Sequence, residues 1–204
     1  MTSPRFLLVL AVHENLLRAA LVTRDLRMAS TAHQSFEIRG DEFDPAEVWY
    51  KTKKIFAACL DIGRTQTREI AGIALVTSET EMVTWRENGN EIIAQGERLP
   101  STKAGARNES QFVETNQYTG TLGTWLVWNL TGVYVTAGVS ALGKTRARAP
   151  FDAELPVVAL LDENRAREFT RTFDFPEADR VLLGAARFAW ETLGAREFAK
   201  PPNS

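Results

Sequence analysis

Apolar residues are distributed along this chain in short blocks, and the spacing within each block predicts an element. Phe6 to Val12 is a continuous apolar run, the pattern of a strand buried on both faces. Leu17 to Val22 is a second run, and Arg24-Asp25 can turn the chain back after it. Met28 to Ile38 alternates loosely and reads as a third strand. Three successive antiparallel strands make a meander with the first strand central.

The periodicity then changes. Asp44-Pro45-Ala46-Glu47 combines a capping carboxylate, a proline at the first helical position and a glutamate that would complete a capping box. Val48, Trp49, Thr52, Ile55, Phe56, Cys59 and Leu60 follow on one face at helical spacing, and Gly63 is a stop signal. Ile70 to Val76 is the next buried, β-branched strand. A strand, a helix and a strand in succession predict a parallel pair. The run ends in a polar corner, Thr77-Ser78-Glu79-Thr80, and returns as Met82-Val83-Thr84-Trp85. Open α/β sheets present ligand sites at the carboxyl ends of their strands, so Thr77 to Thr80 is expected to border any pocket.

Asn88-Gly89 is a hairpin signal, with Glu91 to Ala94 as the returning strand. Gln95 to Gln117 is rich in Ser, Thr, Asn, Gly and charge, and reads as a loop or mobile insertion. Thr121 to Leu130 has Leu122, Trp125, Leu126 and Leu130 on one helical face and is closed by Gly132. Val133 to Val139 and Val157 to Leu161 read as strands. Pro176 precedes a last helix, Ala178 to Leu193, and residues from Lys200 form a tail. The 204 residues are read as one domain, with no internal repeat.

Composition narrows the function classes. A net charge of -2 argues against a nucleic-acid binder, and Lys144, Arg146 and Arg148 read as a solvated strand end. The single cysteine, Cys59, lies on the apolar face of the first helix, where it is a buried structural thiol and fits a reducing compartment. No apolar run is long enough to span a bilayer, and Phe6 to Val12 lacks a signal-peptide cleavage site, so a cytoplasmic protein is expected, without membrane attachment.

One motif carries candidate chemistry by itself. Gly138 to Thr145, GVSALGKT, satisfies the P-loop pattern after an expected strand, and Val157 to Asp162 could follow as an apolar strand ending in an acid. Gly143 and Lys144 would then hold phosphate and Thr145 Mg²⁺. Against this, Pro150 cuts off the helix that must follow, and the two motifs lie too close in sequence to accommodate it.

Three stretches, read together, carry a resemblance. They are DPAEVWYKTKKIFAACL with EIAGIALVTSETEMVTWRENGNEI, then TLGTWLVWNLTGVYVT, and the opening meander. In this order they resemble the amino-terminal domain of the FGGY carbohydrate kinases, with glycerol kinase nearest in pattern. Asp44, Pro45, Glu47, Trp49, Trp85, Thr124, Trp125, Leu126, Trp128, Leu130, Thr131 and Gly132 are the matching positions. The resemblance covers about two thirds of the chain and implies a ribonuclease H-like α/β fold of the actin-like ATPase superfamily, a single lobe with a mixed sheet and flanking helices.

The matches are scaffold positions, and the chemistry positions depart from the family. The resemblance implies a Gly/Thr/Ser-rich phosphate-holding turn between the first two strands, preceded by a metal-organising Asp. This chain has Ala11-Val12-His13-Glu14-Asn15-Leu16-Leu17 there, without glycine and with Ala11 in place of the Asp. Close backbone approach to a phosphate favours glycine, and branched side chains obstruct it. Glu14 is the candidate Mg²⁺ ligand that remains, and His13 reads as a turn residue. At the sugar corner the family's Gln-Arg-Glu is replaced by Ser78-Glu79-Thr80, of which Glu79 and Thr80 could still bind a polyol. The catalytic Gly-Asp-Gln motif is absent, and Asp179, before Leu182-Leu183-Gly184, then Asp162, are nearest in context. In this alignment Gly143 to Thr145 falls on a structural hairpin edge. The chain is also too short for both lobes of such a kinase at family size.

Three readings follow. The first is a kinase-like domain that no longer transfers phosphate and acts as a binding, regulatory or protein-interaction module, with a partner chain or a second copy. The second is a small carbohydrate kinase using Mg-ATP, completed by oligomerisation, with Glu14, Glu79 and Asp179 in unusual roles. The third is a P-loop nucleotide binder.

Overall fold

The computed structural model describes residues 4–88, 91–100, 117–135, 140–145, 151 and 153–198. Its strands are β1 (Phe6–His13), β2 (Leu16–Thr23), β3 (Met28–Ser35), β4 (Ile38–Arg39), β5 (Glu42–Phe43), β6 (Ile70–Thr77), β7 (Glu81–Asn88), β8 (Glu91–Arg98), β9 (Gln117–Thr121), β10 (Ser140–Lys144) and β11 (Pro156–Leu161). Its α-helices are α1 (Pro45–Ile62), α2 (Leu122–Thr131), α3 (Glu163–Glu168) and α4 (Glu177–Phe198).

A six-stranded sheet in the order β10-β11-β6-β1-β2-β3 forms the centre. The meander β1-β2-β3 is antiparallel, and β1 is an inner strand as its continuous apolar run requires. β6 lies parallel to β1, and β11 lies parallel to β6. A parallel pair needs a long crossover. Helix α1 lies within the first crossover and α2 within the other, and a second sheet, order β4-β5-β8-β7-β9, joins β4 and β5 of the first crossover to β7, β8 and β9 of the second.

Strand alternation divides the core into two layers. Leu8, Leu10, Leu17 and Leu21 face Val48, Ile55 and Phe56 of α1, Val83 and Trp85 of β7, and Leu122 and Leu126 of α2. Leu7, Val9, Ala20 and Val22 face Leu182, Leu183, Ala186 and Ala189 of α4 on the opposite face. Two tight contacts depend on glycine. A Cβ at Gly184 would stand 1.9 Å from the Ala166 carbonyl oxygen, and one at Gly123 would stand 2.4 Å from Thr77 Oγ1.

The helix signals are used with one change. Asp44 Oδ1 accepts the Ala46 amide at 2.8 Å, and Pro45 opens α1. Glu47 does not close a capping box on Asp44. It accepts the Glu37 amide at 3.4 Å and pairs with Lys51 at 2.7 Å, linking α1 to the segment before it. Thr121 caps α2, and Gly132 ends it in a left-handed conformation at φ 76°. Cys59 is fully buried, and burial raises its thiol above the ordinary range.

Several expected boundaries move. β8 runs through Gln95 to Arg98, so the polar segment expected as a loop from Gln95 begins inside a strand, and Gln117 is already in β9. The remainder of that expected insertion, 101–116, lies outside the described residues. Residues 133–135 are not strand; the strand expected there is replaced by β10 from Ser140, and 136–139 lie outside the described residues. Arg146, Arg148 and the tail from Lys200 also lie outside them. Among the described residues no helix is long and apolar enough to cross a membrane.

Candidate functional site

Because β1, β6 and β11 run in the same direction, their carboxyl ends reach one edge of the central sheet together. The loops leaving that edge enclose a cleft of about 640 Å³. His13 and Glu14 come from the β1–β2 turn, Ser78 to Glu81 from the corner between β6 and β7, and Asp162 to Asn164 from the entry to α3. Arg98 reaches in from the end of β8. The cleft is thus at the polar corner expected from the sequence, with one adjustment. Thr77 is buried beneath α2 and does not line it, whereas Glu81 does.

Glu81 is the unusual group. It is fully buried, although it sits at the mouth of a polar corner. The Thr80 hydroxyl donates to its Oε1 at 3.1 Å. The Ser78 and Thr80 hydroxyls are also hydrogen-bonded to each other at 2.6 Å. The Thr80 amide donates back to Ser78 Oγ at 3.0 Å, which fixes the corner. Arg98 Nε stands 3.5 Å from Oε1, beyond a good hydrogen bond. Oε2 has no hydrogen-bond partner. Burial pushes the carboxyl above its ordinary range, opposed by hydrogen bonding within the corner and by the Arg98 charge.

The opposite side of the corner is also acidic. Glu14 is exposed in the β1–β2 turn, with φ 53°, a left-handed value uncommon for a residue with a Cβ. His13 Nδ1 lies 2.6 Å from Glu163 Oε1, so the turn is tied to the first residue of α3. Asp162 caps α3 by accepting the Arg165 amide at 2.8 Å. Among the described residues no three His, Cys, Asp or Glu side chains converge to hold a metal ion. Glu14, the metal-ligand candidate left by the kinase resemblance, is therefore not part of such a group.

The structure brings Glu14, Ser78, Glu79, Thr80 and Asp162 to one cleft. It does not bring Asp179 there. Asp179 is in the first turn of α4, and its carboxylate accepts from Arg18 Nη2 of β2 at 2.5 Å, with Arg18 also bonding the Ala178 carbonyl. That carboxylate anchors α4 to the sheet. The P-loop expectation is also corrected. Gly143 and Lys144 are strand residues paired with Val157 and Pro156, so the chain is extended where a phosphate loop would have to bend into a helix. Lys144 is exposed and 3.8 Å from Glu154, and Thr145 is buried with its hydroxyl accepting the Leu155 amide.

Glu81, Arg98, Glu163 and Asn164 line the cleft without having been singled out in the sequence. A signal for Glu81 existed. It has the same strand parity as Val83 and Trp85, which face the core. The alternation of β7 begins at Glu81, one residue before the expected start at Met82.

No protein-family model matches this sequence, and no curated protein matches it. Solved structures do. The chain is similar to glycerol kinase from Plasmodium falciparum, solved with ADP, at TM-score 0.62 and 9% identity, over 82% of this chain and 50% of that one. It is similar to xylulose kinase from Rhodospirillum rubrum at TM-score 0.64 and 13% identity, over 84% of this chain and 52% of that one. A carbohydrate kinase from Novosphingobium aromaticivorans gives TM-score 0.59 at 13% identity, over 83% and 51% of the respective chains. This chain spans about half the length of the kinases it matches. What the likeness establishes is the fold: a mixed sheet with flanking helices, as in the FGGY-family sugar-kinase domains of the actin-like ATPase architecture.

Proposed function

We propose that this chain is a sugar-kinase-fold domain that binds a small ligand at the strand-end cleft and does not itself transfer phosphate. The observation that carries the reading is the β1–β2 turn. In the family that the sequence resembles, this turn holds nucleotide phosphate through backbone N–H groups. Here it carries His13, committed to Glu163, and Glu14, an exposed carboxylate beside Glu79 and Asp162 in the same cleft. Phosphoryl transfer depends on positive charge and donors around the phosphates. A polyphosphate at this turn would meet carboxylates instead, with Arg98 already beside Glu81.

The test is direct. Purified protein is incubated with Mg·ATP and either glycerol or xylulose, and ADP release is followed. The reading expects no release above the rate without acceptor, and no rise in Tm with millimolar Mg·ATP. Acceptor-dependent ADP release would overturn it.

A second reading, a carbohydrate kinase completed by oligomerisation, draws on Glu79 and Thr80, which line the cleft where the resemblance implies sugar hydroxyls. The same assay decides it, since its catalysis would release ADP at a rate that rises more than linearly with protein concentration.

A further inference from the structure

Resting on the reading of the cleft as a binding site without phosphate chemistry, we infer that its ligand class is an organic di- or polyamine, carried as separated primary ammonium groups along an aliphatic chain. Five carboxylates line the cleft, Glu14, Glu79, Glu81, Asp162 and Glu163, against one guanidinium, Arg98, and the imidazole of His13. A cleft dominated by one sign of charge concentrates ligands of the opposite sign. Charge alone does not make a site; Glu81 adds the second observation. Its side chain is fully buried at the cleft wall, and Oε2 has no hydrogen-bond partner. A buried carboxylate oxygen left without a donor is costly, and a ligand N–H removes that cost. An ammonium brings three donors and a compensating charge.

The arrangement selects among cations. Among the described residues the carboxylates do not converge tightly enough for a metal ion. They are spread instead over the ends of β1, β6 and β11, which are successive neighbours in the sheet. Strands are spaced about 4.8 Å apart, so the array extends across about 10 Å. Separated positive charges on a flexible chain match an array of that width, and a single point charge does not. The Ser78 hydroxyl and Asn164 amide supply further polar contacts at the walls.

The experiment compares putrescine and spermidine with 1,4-butanediol, the neutral counterpart of putrescine, by isothermal titration calorimetry on the whole chain. Both amines should bind, more weakly as salt increases, and butanediol at the same concentrations should not. Glu79→Gln and Glu81→Gln should each weaken spermidine about tenfold, as expected for losing a charge-assisted hydrogen bond. Glu79 is only partly buried, so its variant is a test that a folding defect at Glu81 cannot obscure. Equal binding of butanediol and putrescine, no binding of either amine, or undiminished binding in Glu79→Gln and in folded Glu81→Gln each overturns the inference. Any of these results together with absent ADP release leaves the non-catalytic reading standing. Acceptor-dependent ADP release overturns that reading whatever the amines do.

Discussion

Arg98 Nε lies 3.5 Å from Glu81 Oε1, joining the last residue of β8 to the first residue of β7 directly across the hairpin ladder. The two partners are unequal. Glu81 is fully buried, whereas the Arg98 side chain is 37% exposed. Removing the arginine therefore leaves a buried carboxylate with less compensation, while removing the carboxylate leaves a guanidinium that water can reach.

The first prediction is a coupling between these residues. Arg98→Ala should destabilise the fold by about 1 kcal/mol, the upper end for a pair screened on one side by solvent. In a Glu81→Gln background the same substitution should cost close to nothing. A double-mutant cycle from urea unfolding measures the difference. Equal losses in both backgrounds would mean that the contact carries no stability.

The second prediction concerns pH. Burial raises the Glu81 carboxyl above its ordinary value of 4.5 in the folded chain. Between that value and the raised one, the folded chain keeps a proton that the unfolded chain has released. Stability from this group therefore falls as pH rises through the window and is level above it. Glu81→Gln has no such proton. Its Tm relative to the unsubstituted protein should climb as pH rises from about 4.5 and then reach a plateau. Thermal unfolding of both proteins across the range reads this out, and a flat difference would remove Glu81 as its source.

The third prediction tests the α3–α4 contact. In an open helix interior, Gly→Ala stabilises by about 1 kcal/mol. At Gly184 the new methyl would stand 1.9 Å from the Ala166 carbonyl oxygen, so the helices must separate. Gly184→Ala should instead destabilise by about 1–3 kcal/mol, the range for an overpacked interior. A lower urea midpoint at unchanged slope is the expected result. A gain in stability would show that the contact yields readily.

Much of this architecture was legible because its determinants are local. The run Phe6 to Val12 is apolar at every position, and only an inner strand covered on both faces accommodates that. Asp44-Pro45 fixed the start of α1, and Gly132 fixed the end of α2, through chemistry within one turn of each position. The Asn88-Gly89 signal marked the β7–β8 hairpin, and a ladder in which Asn88 faces Glu91 places Glu81 opposite Arg98. Even the position of the cleft followed from the sequence, because a polar corner after a buried strand belongs at a strand's carboxyl end.

Other features required the assembled fold. The sequence does not distinguish Asp179, held by Arg18 at the foot of α4, from Glu79 in the cleft, since both are acids near an element boundary. GVSALGKT satisfies a loop pattern by composition, yet pairing with β11 draws residues from Ser140 onward into an edge strand, because ladder hydrogen bonds come from a partner distant in the chain. His13 and Glu163 are separated by most of the chain and meet because β1 and β11 flank β6. The sequence by itself determined most of the elements, a parallel crossover through α1 and the corner that borders the cleft, since periodicity and capping act over a few residues; that β6 pairs with β1 and not with β3, the strand before α1, was decided by the fold. Only the tertiary structure decided which carboxylates share that cleft and that one of them, Glu81, is buried with an oxygen unpartnered, since burial and charge environment are properties of neighbours that the fold brings together.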